Sequence, residues 1–299
     1  MGGTQLSITS VSEFVESILE RSSSTSIVTS YRGHGSTDFK LKPSIFRKSG
    51  TKENEHILLR ELIAAHPEDF HGDTSALEML VRMQHYSLPT RLLDVTFNPL
   101  VALYFACESV KKRILIKRDG RPSTRTVEMD GQVVILLVPK RRIRYFDSDT
   151  VSCLTNLARL SWNYKEKIDT DLEQIKFNGS TPVKRLLHFI LQEKNGFLPE
   201  IIPSDLDSIL LVKPKQNNKR ILAQAGAFFA FGLDEEIVSG SVDKIKVEHI
   251  TVNAKSKADI LKELDKLGIN EKTMFPEIER AARYITGTLS SGDTASKLI

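Results

Sequence analysis

The chain of 299 residues is poor in cysteine and has no long apolar run, and both absences narrow its class. Its two cysteines, Cys107 and Cys153, stand apart, without a Cys-X-X-Cys pair or a His-rich tract. Neither a disulfide framework nor a zinc site of ordinary spacing is expected. No run approaches the roughly 18 to 20 apolar residues that span a bilayer, and residues 1–10 lack the features of a signal peptide. We therefore expect a cytoplasmic protein with no metal and no membrane partner.

Several widespread catalytic patterns are also missing from the sequence. It has no Gly-X4-Gly-Lys-(Ser/Thr) phosphate loop, no Gly-X-Gly-X-X-Gly after a strand, no His-Glu-X-X-His and no Gly-X-Ser-X-Gly. Serine, histidine and aspartate occur, but not at a spacing that indicates a catalytic triad. The candidate chemistry must therefore come from less common combinations of residues.

The composition is that of a globular protein with a mixed surface. Hydrophobic residues make up 40% of the chain, enough for a packed core, and the formal net charge is +4. Basic residues cluster in three places, at 111–113, 117–125 and 140–144. If these clusters fold together, they form a positive face that binds nucleic acid or protein; the alternative is ordinary solvated charge beside strands.

Apolar periodicity predicts an α+β fold, a single domain with a central, mostly antiparallel sheet flanked by helices. Helices are expected at 10–21, 53–66, 76–85, 100–110, 151–164, 182–192, 257–267 and 275–285. Strands are expected at 27–32, 92–93, 131–138, 209–213, 220–231 and 245–252, with 209–213 and 220–231 forming an antiparallel hairpin. We expect residues 1–26 to form an N-terminal helix, 27–286 the domain, and the Ser/Thr/Gly-rich residues 287–299 a flexible tail.

The first candidate site segment is Tyr31-Arg32-Gly33-His34-Gly35, at the end of an apolar strand. Gly33 and Gly35, which follow Arg32, allow a ligand to approach the backbone closely, and an arginine held there suits bidentate phosphate binding. The structural alternative is an Arg32 paired with a buried carboxylate, for which Asp94 is available. His34 either contributes to the same pocket or faces solvent.

The second segment covers residues 83–96 and brings His85, Thr90, Arg91, Asp94 and Thr96 close to an apolar helix that starts at residue 99. Asp94 either serves in a site or caps that helix. His85 closes a helix, where an ordinary C-terminal histidine is as plausible as a general base.

The third segment is the expected strand at 220–231, in which Gln224 is polar among apolar residues. A buried amide needs hydrogen-bond partners. Strand alternation places Arg220 and Gln224 on one face, where both can look into a cleft; a glutamine that merely ties down a loop is the alternative.

These segments together resemble the FRG domain family, named for its (Phe/Tyr)-Arg-Gly motif. That family continues with Gln-His-(Tyr/Phe)-Gly-Leu-Pro-Thr-Arg-Leu-Leu-Asp, an Asn-Pro helix start, an Arg…Gln…Gly-Phe strand and Phe-Pro-(Glu/Asp). The corresponding positions here are 31–33, 84–94, 98–106, 220–229 and 275–277. Ser87 stands where the family usually has glycine. The resemblance implies that residues 27–286 are the FRG domain.

A strand ending in Tyr-Arg-Gly is also similar, more weakly, to the first strand of ADP-ribosyltransferases of the Arg-Ser-Glu type. That resemblance implies an ADP-ribosyltransferase-like fold in which Arg32 binds NAD, with Tyr31, Gly33, His34, Thr90 and Thr96 around the cofactor. Val95 and Thr96 would lie near that family's Ser-Thr-Ser strand. Gln224 stands where its catalytic glutamate is expected, so the site is expected to bind a nucleotide without necessarily turning it over.

Our leading hypothesis is a nucleotide- or NAD-binding cleft with Arg32, His85, Arg91, Asp94 and Gln224 as candidate catalytic residues. The enzyme would be an ADP-ribosyltransferase or NAD glycohydrolase, serving as a toxin or phage-defence effector with a protein or nucleic-acid target. The alternative is a non-enzymatic module that binds nucleic acid or protein through the basic clusters. A metal-dependent hydrolase using Asp94 with Glu235 or Glu236 is the third hypothesis.

Overall fold

The computed structural model describes residues 6–21, 24–118, 121–216, 218–238 and 245–277, with the side chains of 116–122 left out. The strands are β1 (Ser7–Ile8), β2 (Ile27–His34), β3 (Leu92–Thr96), β4 (Lys111–Arg118), β5 (Arg121–Glu128), β6 (Gly131–Pro139), β7 (Ile143–Tyr145), β8 (Ile209–Lys213), β9 (Gly226–Phe231) and β10 (Lys246–Val252). The helices are α1 (Val11–Leu19), α2 (Glu55–Ala65), α3 (Pro67–Phe70), α4 (Ala76–His85), α5 (Pro99–Ala106), α6 (Asp149–Asn156), α7 (Trp162–Lys165), α8 (Gln174–Gly179), α9 (Thr181–Glu193), α10 (Lys219–Ala223), α11 (Lys257–Lys266) and α12 (Glu271–Met274).

The central sheet has eight strands in the order β1-β10-β6-β2-β3-β9-β8-β7. The outermost pairs, β1 with β10 and β7 with β8, are parallel, whereas the five pairs between them are antiparallel. Strands β4 and β5 form a separate two-stranded hairpin. The predicted α+β fold with a mostly antiparallel central sheet is therefore confirmed.

The sheet is weakly joined at its centre, between β2 and β3. These strands share a single register pair, Tyr31 with Thr96, whereas β2 pairs with β6 over eight residues and β3 pairs with β9 over five. We call this narrow junction the seam. On one face, α1, α5 and α11 pack on the β10–β6 side of the seam, and α4, α6 and α9 pack on the β9–β8 side.

Helix α5 begins where the sequence predicted, because Asn98 caps it by accepting from the Leu100 N–H and Pro99 fits its first turn. The helix lies directly on β2. A Cβ atom on Gly33 would stand 2.0 Å from the carbonyl oxygen of Ala102, so only glycine allows this approach. Gly33, which the sequence suggested as an opening for a ligand, is thus required by helix packing.

The expected strand at 220–231 is wrong in its first half. Residues Lys219–Ala223 form helix α10, because the Asn218 side chain accepts from the Arg220 N–H and caps the first turn. Ala225 then adopts a left-handed backbone with φ of 45°, which ends the helix before β9 starts at Gly226. β8 and β9 do pair in antiparallel fashion, but a helical turn lies in their connection.

Three further helices differ from expectation. Helix α5 ends at Ala106, not at 110, and the predicted helix at 151–164 is divided into α6 and α7. Residues 275–277 of the helix expected at 275–285 are not helical; its remainder and the tail at 287–299 lie outside the described residues.

Candidate functional site

A cavity of about 300 Å³ opens at the seam. Polar side chains from both sides of the seam line it, and so do two phenylalanines. They are Arg32, His34, Arg47, Asp94, Thr96, Glu108, Arg220, Gln224, Phe39 and Phe105. Two smaller cavities, of about 180 and 60 Å³, adjoin it, and Asp94 lines all three. The weak junction of the sheet therefore coincides with a concave region lined by several charged and polar side chains.

Arg32 bridges the seam. Its Nη1 donates to the backbone carbonyl of Asp94, and its Nε donates to His34 Nε2 at 3.0 Å. Burial lowers the pKa of Arg32 to about 10, an effect that the Asp94 carboxylate partly offsets, so the guanidinium stays charged at neutral pH. The alternative pairing of Arg32 with a buried carboxylate is not what the structure shows, because the Asp94 contact is to its carbonyl.

A second guanidinium, that of Arg47, lines the same cavity. Its Nε donates to the Lys42 carbonyl at 2.8 Å, and burial lowers its pKa. Within the described part of the chain, neither Arg32 nor Arg47 forms an ion pair with a carboxylate. Two such cations at one cavity favour an anionic ligand, such as a phosphate or a carboxylate, whose oxygens accept paired N–H donors.

His34 is buried, with 3% of its surface exposed, and it is neutral. Burial, together with the charge of Arg32, lowers its pKa to about 3. Since arginine is always a donor, the contact with Arg32 requires a lone pair on Nε2, which the neutral ring supplies. His34 therefore orients Arg32 and does not face solvent.

Asp94 is held by a short relay of hydrogen bonds. Leu92 N–H donates to Thr90 Oγ1 at 3.2 Å, Thr90 Oγ1 donates to Gln84 Oε1 at 2.7 Å, and Gln84 Nε2 donates to Asp94 Oδ2. This order fixes the Gln84 amide so that its NH₂ group faces the carboxylate. Asp94 is exposed to the cavities in an otherwise buried strand. Asp94 does not cap α5, since Asn98 does.

Gln224 and Thr96 close the opposite side of the cavity. Thr96 Oγ1 donates to the Gln224 carbonyl at 2.6 Å, and Gln224 Nε2 donates to the Met274 carbonyl at 2.9 Å. Gln224 therefore ties the end of α12 to the cavity wall. Its spacing of four from Arg220 still places both side chains at the cavity, because α10 is helical there.

His85 lies at the end of α4 and lines the smallest of the three cavities. Its Nε2 is 3.4 Å from Glu277 Oε1, and Arg220 Nη1 is 3.9 Å from the same oxygen. Burial and the charge of Arg220 lower the pKa of His85, although Glu277 acts in the opposite direction. His85 thus lines the same small cavity as Asp94 and also contacts Glu277 in the C-terminal segment.

Arg91 lies away from the cavity. It is 1% exposed, with Nε donating to Glu55 Oε1 at 2.9 Å and Nη1 donating to the carbonyls of Phe231 and Gly232. Lys165 Nζ donates to Glu55 Oε2 as well. Every described donor contact of Arg91 is structural, and the residue does not join the candidate site.

Glu235 and Glu236 also lie outside the cavity. Glu235 pairs with Lys42 and Lys52 at 2.8 and 2.9 Å, and Glu236 lies 3.6 Å from Lys40. Among the residues that the structure describes, no group of three or more His, Cys, Asp or Glu side chains is arranged to hold a metal ion. The carboxylates invoked for a metal-dependent hydrolase are not brought together with Asp94.

Sequence reasoning missed four cavity residues, Phe39, Arg47, Phe105 and Glu108. Phe39 and Arg47 come from the irregular segment between β2 and α2, and Glu108 from the turn after α5. Irregular segments have no periodicity that would reveal which side chains turn inward. A phenylalanine in the apolar helix α5 is expected to be part of the hydrophobic core, so the sequence did not indicate that Phe105 lines a cavity.

A family model matches residues 28–114, a segment that includes Arg32, Arg47, the Thr90 relay, Asp94 and Glu108, and the model is that of the FRG domain. The chain contains an FRG domain. No curated protein and no solved structure gives a significant match to this chain. Part of the cavity, including Arg220 and Gln224, is formed by residues beyond the matched FRG segment.

Ser87, where FRG domains usually have glycine, occupies a left-handed position with φ of 64°. It follows α4, with its N–H bonded to the Gln84 carbonyl and the Leu88 N–H bonded to the Met83 carbonyl, which is a Schellman ending. Glycine is the residue that such a position favours. The departure therefore changes backbone strain and leaves the polar side chains of the FRG segment in place.

The three basic clusters adjoin different parts of the FRG-domain protein. Residues 111–113 and 117–125 belong to the β4–β5 hairpin, which precedes β6, whereas 140–144 follow β6. β6 has nine residues and thus a length of about 26 Å. The structure separates the clusters that were expected to form one face.

None of the described helices is long and apolar enough to cross a membrane.

Proposed function

We propose that the cavity at the seam binds a nucleotide, with NAD as the leading candidate. The observation that carries this proposal is the pair of guanidinium groups, Arg32 and Arg47, that line one cavity and form no ion pair with a carboxylate among the described residues. The carboxylates of Asp94 and Glu108 at this cavity offset part of their charge, and a ligand phosphate or diphosphate accepts paired N–H donors that these contacts leave open. A volume of about 300 Å³, extended by the two adjoining cavities, lies at the lower end of the range typical of small-molecule sites.

The other lining residues suit the remaining parts of a nucleotide. Phe39 and Phe105 offer apolar surface to a base or nicotinamide ring. Asp94, held by Gln84, can accept hydrogen bonds from ribose hydroxyls through the carboxylate oxygen that Gln84 does not occupy. In this assignment Arg32 and Arg47 bind phosphate and Asp94 binds ribose.

Turnover of NAD would make the protein an ADP-ribosyltransferase or an NAD glycohydrolase. When the bond to nicotinamide breaks, positive charge develops on the ribose, and an ionised carboxylate nearby stabilises it. Asp94 is our candidate for that carboxylate, since Gln224 has no charge and donates to Met274. Consumption of cellular NAD would in turn account for a role as a toxin or phage-defence effector.

Binding is tested by titration calorimetry of NAD, ADP-ribose and AMP into the wild-type protein and into the Arg32→Lys and Arg47→Ala variants. Arg32→Lys keeps the charge but loses the bidentate donor geometry. Loss of a charged hydrogen bond is worth about 1.5 to 3 kcal/mol, so we expect affinity to fall roughly 10- to 100-fold in each variant. Arg141→Ala, which removes an exposed arginine after β6, is the control. Equal affinity in all four proteins, or no binding of any of these ligands, would contradict the proposal.

Turnover needs a separate measurement, because binding alone fits a non-enzymatic module. Nicotinamide release from NAD is followed by chromatography, and label transfer is followed with protein, DNA and RNA acceptors present. We expect release in the wild-type protein and its loss in Asp94→Asn, whose side chain retains the size but not the charge. Binding without release in the wild-type protein would leave nucleotide binding intact and remove the enzymatic part.

A further inference from the structure

The β4–β5 hairpin accounts for the whole excess of basic over acidic residues in the chain. Seven of the 42 basic residues and two of the 38 acidic residues fall within positions 111–128, which gives this segment a formal charge of +5. All other residues together carry a formal charge of −1. The hairpin is also outside the eight-stranded sheet. Charge and architecture therefore single out the same element.

Within the hairpin, cations and hydroxyls share one face. Lys111 and Arg113 alternate along β4, and the cross-strand neighbour of Arg113 is Thr126. Thr124 lies two residues further along the same face of β5, opposite Leu115. Glu128 lies opposite Lys111 on this face, where its carboxylate accepts from Ser109 and Val110. The side chains of Lys111, Arg113, Leu115, Thr124 and Thr126 are exposed. Cations interleaved with hydroxyl donors are typical of phosphate-backbone contacts.

The base of the hairpin adjoins the cavity at the seam. Lys112 Nζ is 2.7 Å from Asp38, the neighbour of the cavity residue Phe39. At the other strand, Glu128 accepts from Ser109 Oγ at 2.8 Å and from the Val110 N–H at 2.9 Å, directly after the cavity residue Glu108. These contacts fix the hairpin base to two of the segments that form the cavity wall.

We propose that the β4–β5 hairpin is a docking surface for nucleic acid, which it holds by its phosphate backbone beside the cavity. An antiparallel two-stranded ribbon is narrow enough to enter the major groove of duplex DNA, which is about 12 Å wide. The described part of the hairpin exposes only two large apolar side chains, Ile114 and Leu115, which is little for insertion into a membrane. That the docked nucleic acid is the target of the cavity rests on the nucleotide function proposed above.

The test measures fluorescence anisotropy of labelled duplex DNA, duplex RNA and single-stranded RNA between 50 and 200 mM salt, conditions over which phosphate contacts weaken strongly. The variant is Lys111→Gln/Arg113→Gln. The matched control, Lys140→Gln/Arg141→Gln, removes two exposed cations at the far end of β6. Side chains in both pairs are exposed, so both variants are expected to fold.

We expect the wild-type and control proteins to bind nucleic acid with the same salt dependence. In the hairpin variant, loss of two phosphate contacts to duplex DNA reduces the slope of log K against log salt by about 1.8. Affinity at 50 mM salt should fall roughly tenfold or more. Equal slopes in the two variants, or absence of binding to all three nucleic acids, would overturn the proposal.

The same proteins separate this proposal from the nucleotide function. NAD affinity should be unchanged in Lys111→Gln/Arg113→Gln, because neither residue lines the cavity. If nucleic acid binds through the hairpin but no nucleotide binds the cavity, the docking surface stands and the nucleotide function falls. If NAD binds and nucleic acid does not, the reverse holds.

Discussion

Gln84 holds Asp94 in a fixed orientation, because the hydroxyl of Thr90 donates to the Gln84 carbonyl oxygen and turns the amide NH₂ group toward the carboxylate. Thr90 is fully buried and also accepts from the Leu92 N–H. The cavity carboxylate is thus supported from inside the core by three groups in series.

Thr90→Val should break this support, while Thr90→Ser should preserve it. Valine removes the hydroxyl and leaves the buried Leu92 N–H without an acceptor, which costs about 1 to 3 kcal/mol. Serine keeps both hydrogen bonds and loses only a methyl group. Urea denaturation measures the free energy of unfolding of each variant. Equal losses would show that the hydroxyl contributes nothing.

Glu55→Gln should strongly destabilise the protein. Glu55 is buried between Arg91 and Lys165, and breaking a buried ion pair by removing one partner typically costs about 3 to 5 kcal/mol. Glu235→Gln, which disrupts a partly exposed pair of contacts to Lys42 and Lys52, should cost about 1 kcal/mol or less. Chemical denaturation of the two variants checks the difference, and similar losses would refute a structural role for the Arg91 cluster.

Acid should destabilise the protein through His34. Its pKa is lowered to about 3 in the folded state, against about 6.5 in the unfolded chain, so unfolding takes up a proton between these values. The free energy of unfolding therefore decreases as pH falls below 6.5, by up to about 1.4 kcal/mol per unit. His34→Gln, whose carbonyl oxygen can still accept from Arg32, should reduce this slope. Unfolding measured from pH 6.5 to 4.5 tests it, and an unchanged slope would contradict the assignment.

Gly33→Ala should disrupt folding even though Gly33 lines the cavity. The added methyl group would stand 2.0 Å from the Ala102 carbonyl oxygen and 2.6 Å from the Ala106 nitrogen, so α5 must move off β2. We expect a loss of roughly 3 kcal/mol or more in the free energy of unfolding. Gly72→Ala, where a Cβ meets nothing within 4 Å, is the control. A Gly33→Ala protein of normal stability that fails to bind a nucleotide would instead favour a ligand contact at Gly33.

Local signals predicted much of the fold. The expected starts of α4 and α5 were close to those observed, because the capping box of Ser75 and Glu78 and the first-turn Pro99 depend on neighbours in the chain. The error at residues 220–225 has a similar local origin. An apolar run of this length fits either a buried strand or a buried helical turn. The left-handed position that ends the helix, Ala225, is not a glycine, so the sequence does not mark the end of the helix.

The candidate site was less predictable, because it depends on long-range packing. Arg32, Asp94 and Gln224 line one cavity, but Arg91, which is only three residues from Asp94, points into the core toward Glu55. Arg47 could not be found from the sequence, since nothing near it in the chain indicates that its segment turns toward the seam. The sequence motifs predicted the region of the site, but tertiary packing determines which of the motif residues line the cavity.

The central sheet consists of two four-stranded units that are joined in the middle by one residue pair. The unit β1-β10-β6-β2 and the unit β3-β9-β8-β7 each have their own ladders and their own helical cover on one face. Tyr31–Thr96 and the Arg32 guanidinium connect their strands, and a shared apolar cluster covers both units on the other face. A molecule bound in the seam would contact both units and hold them together. Its binding would therefore increase the cooperativity with which the whole sheet unfolds.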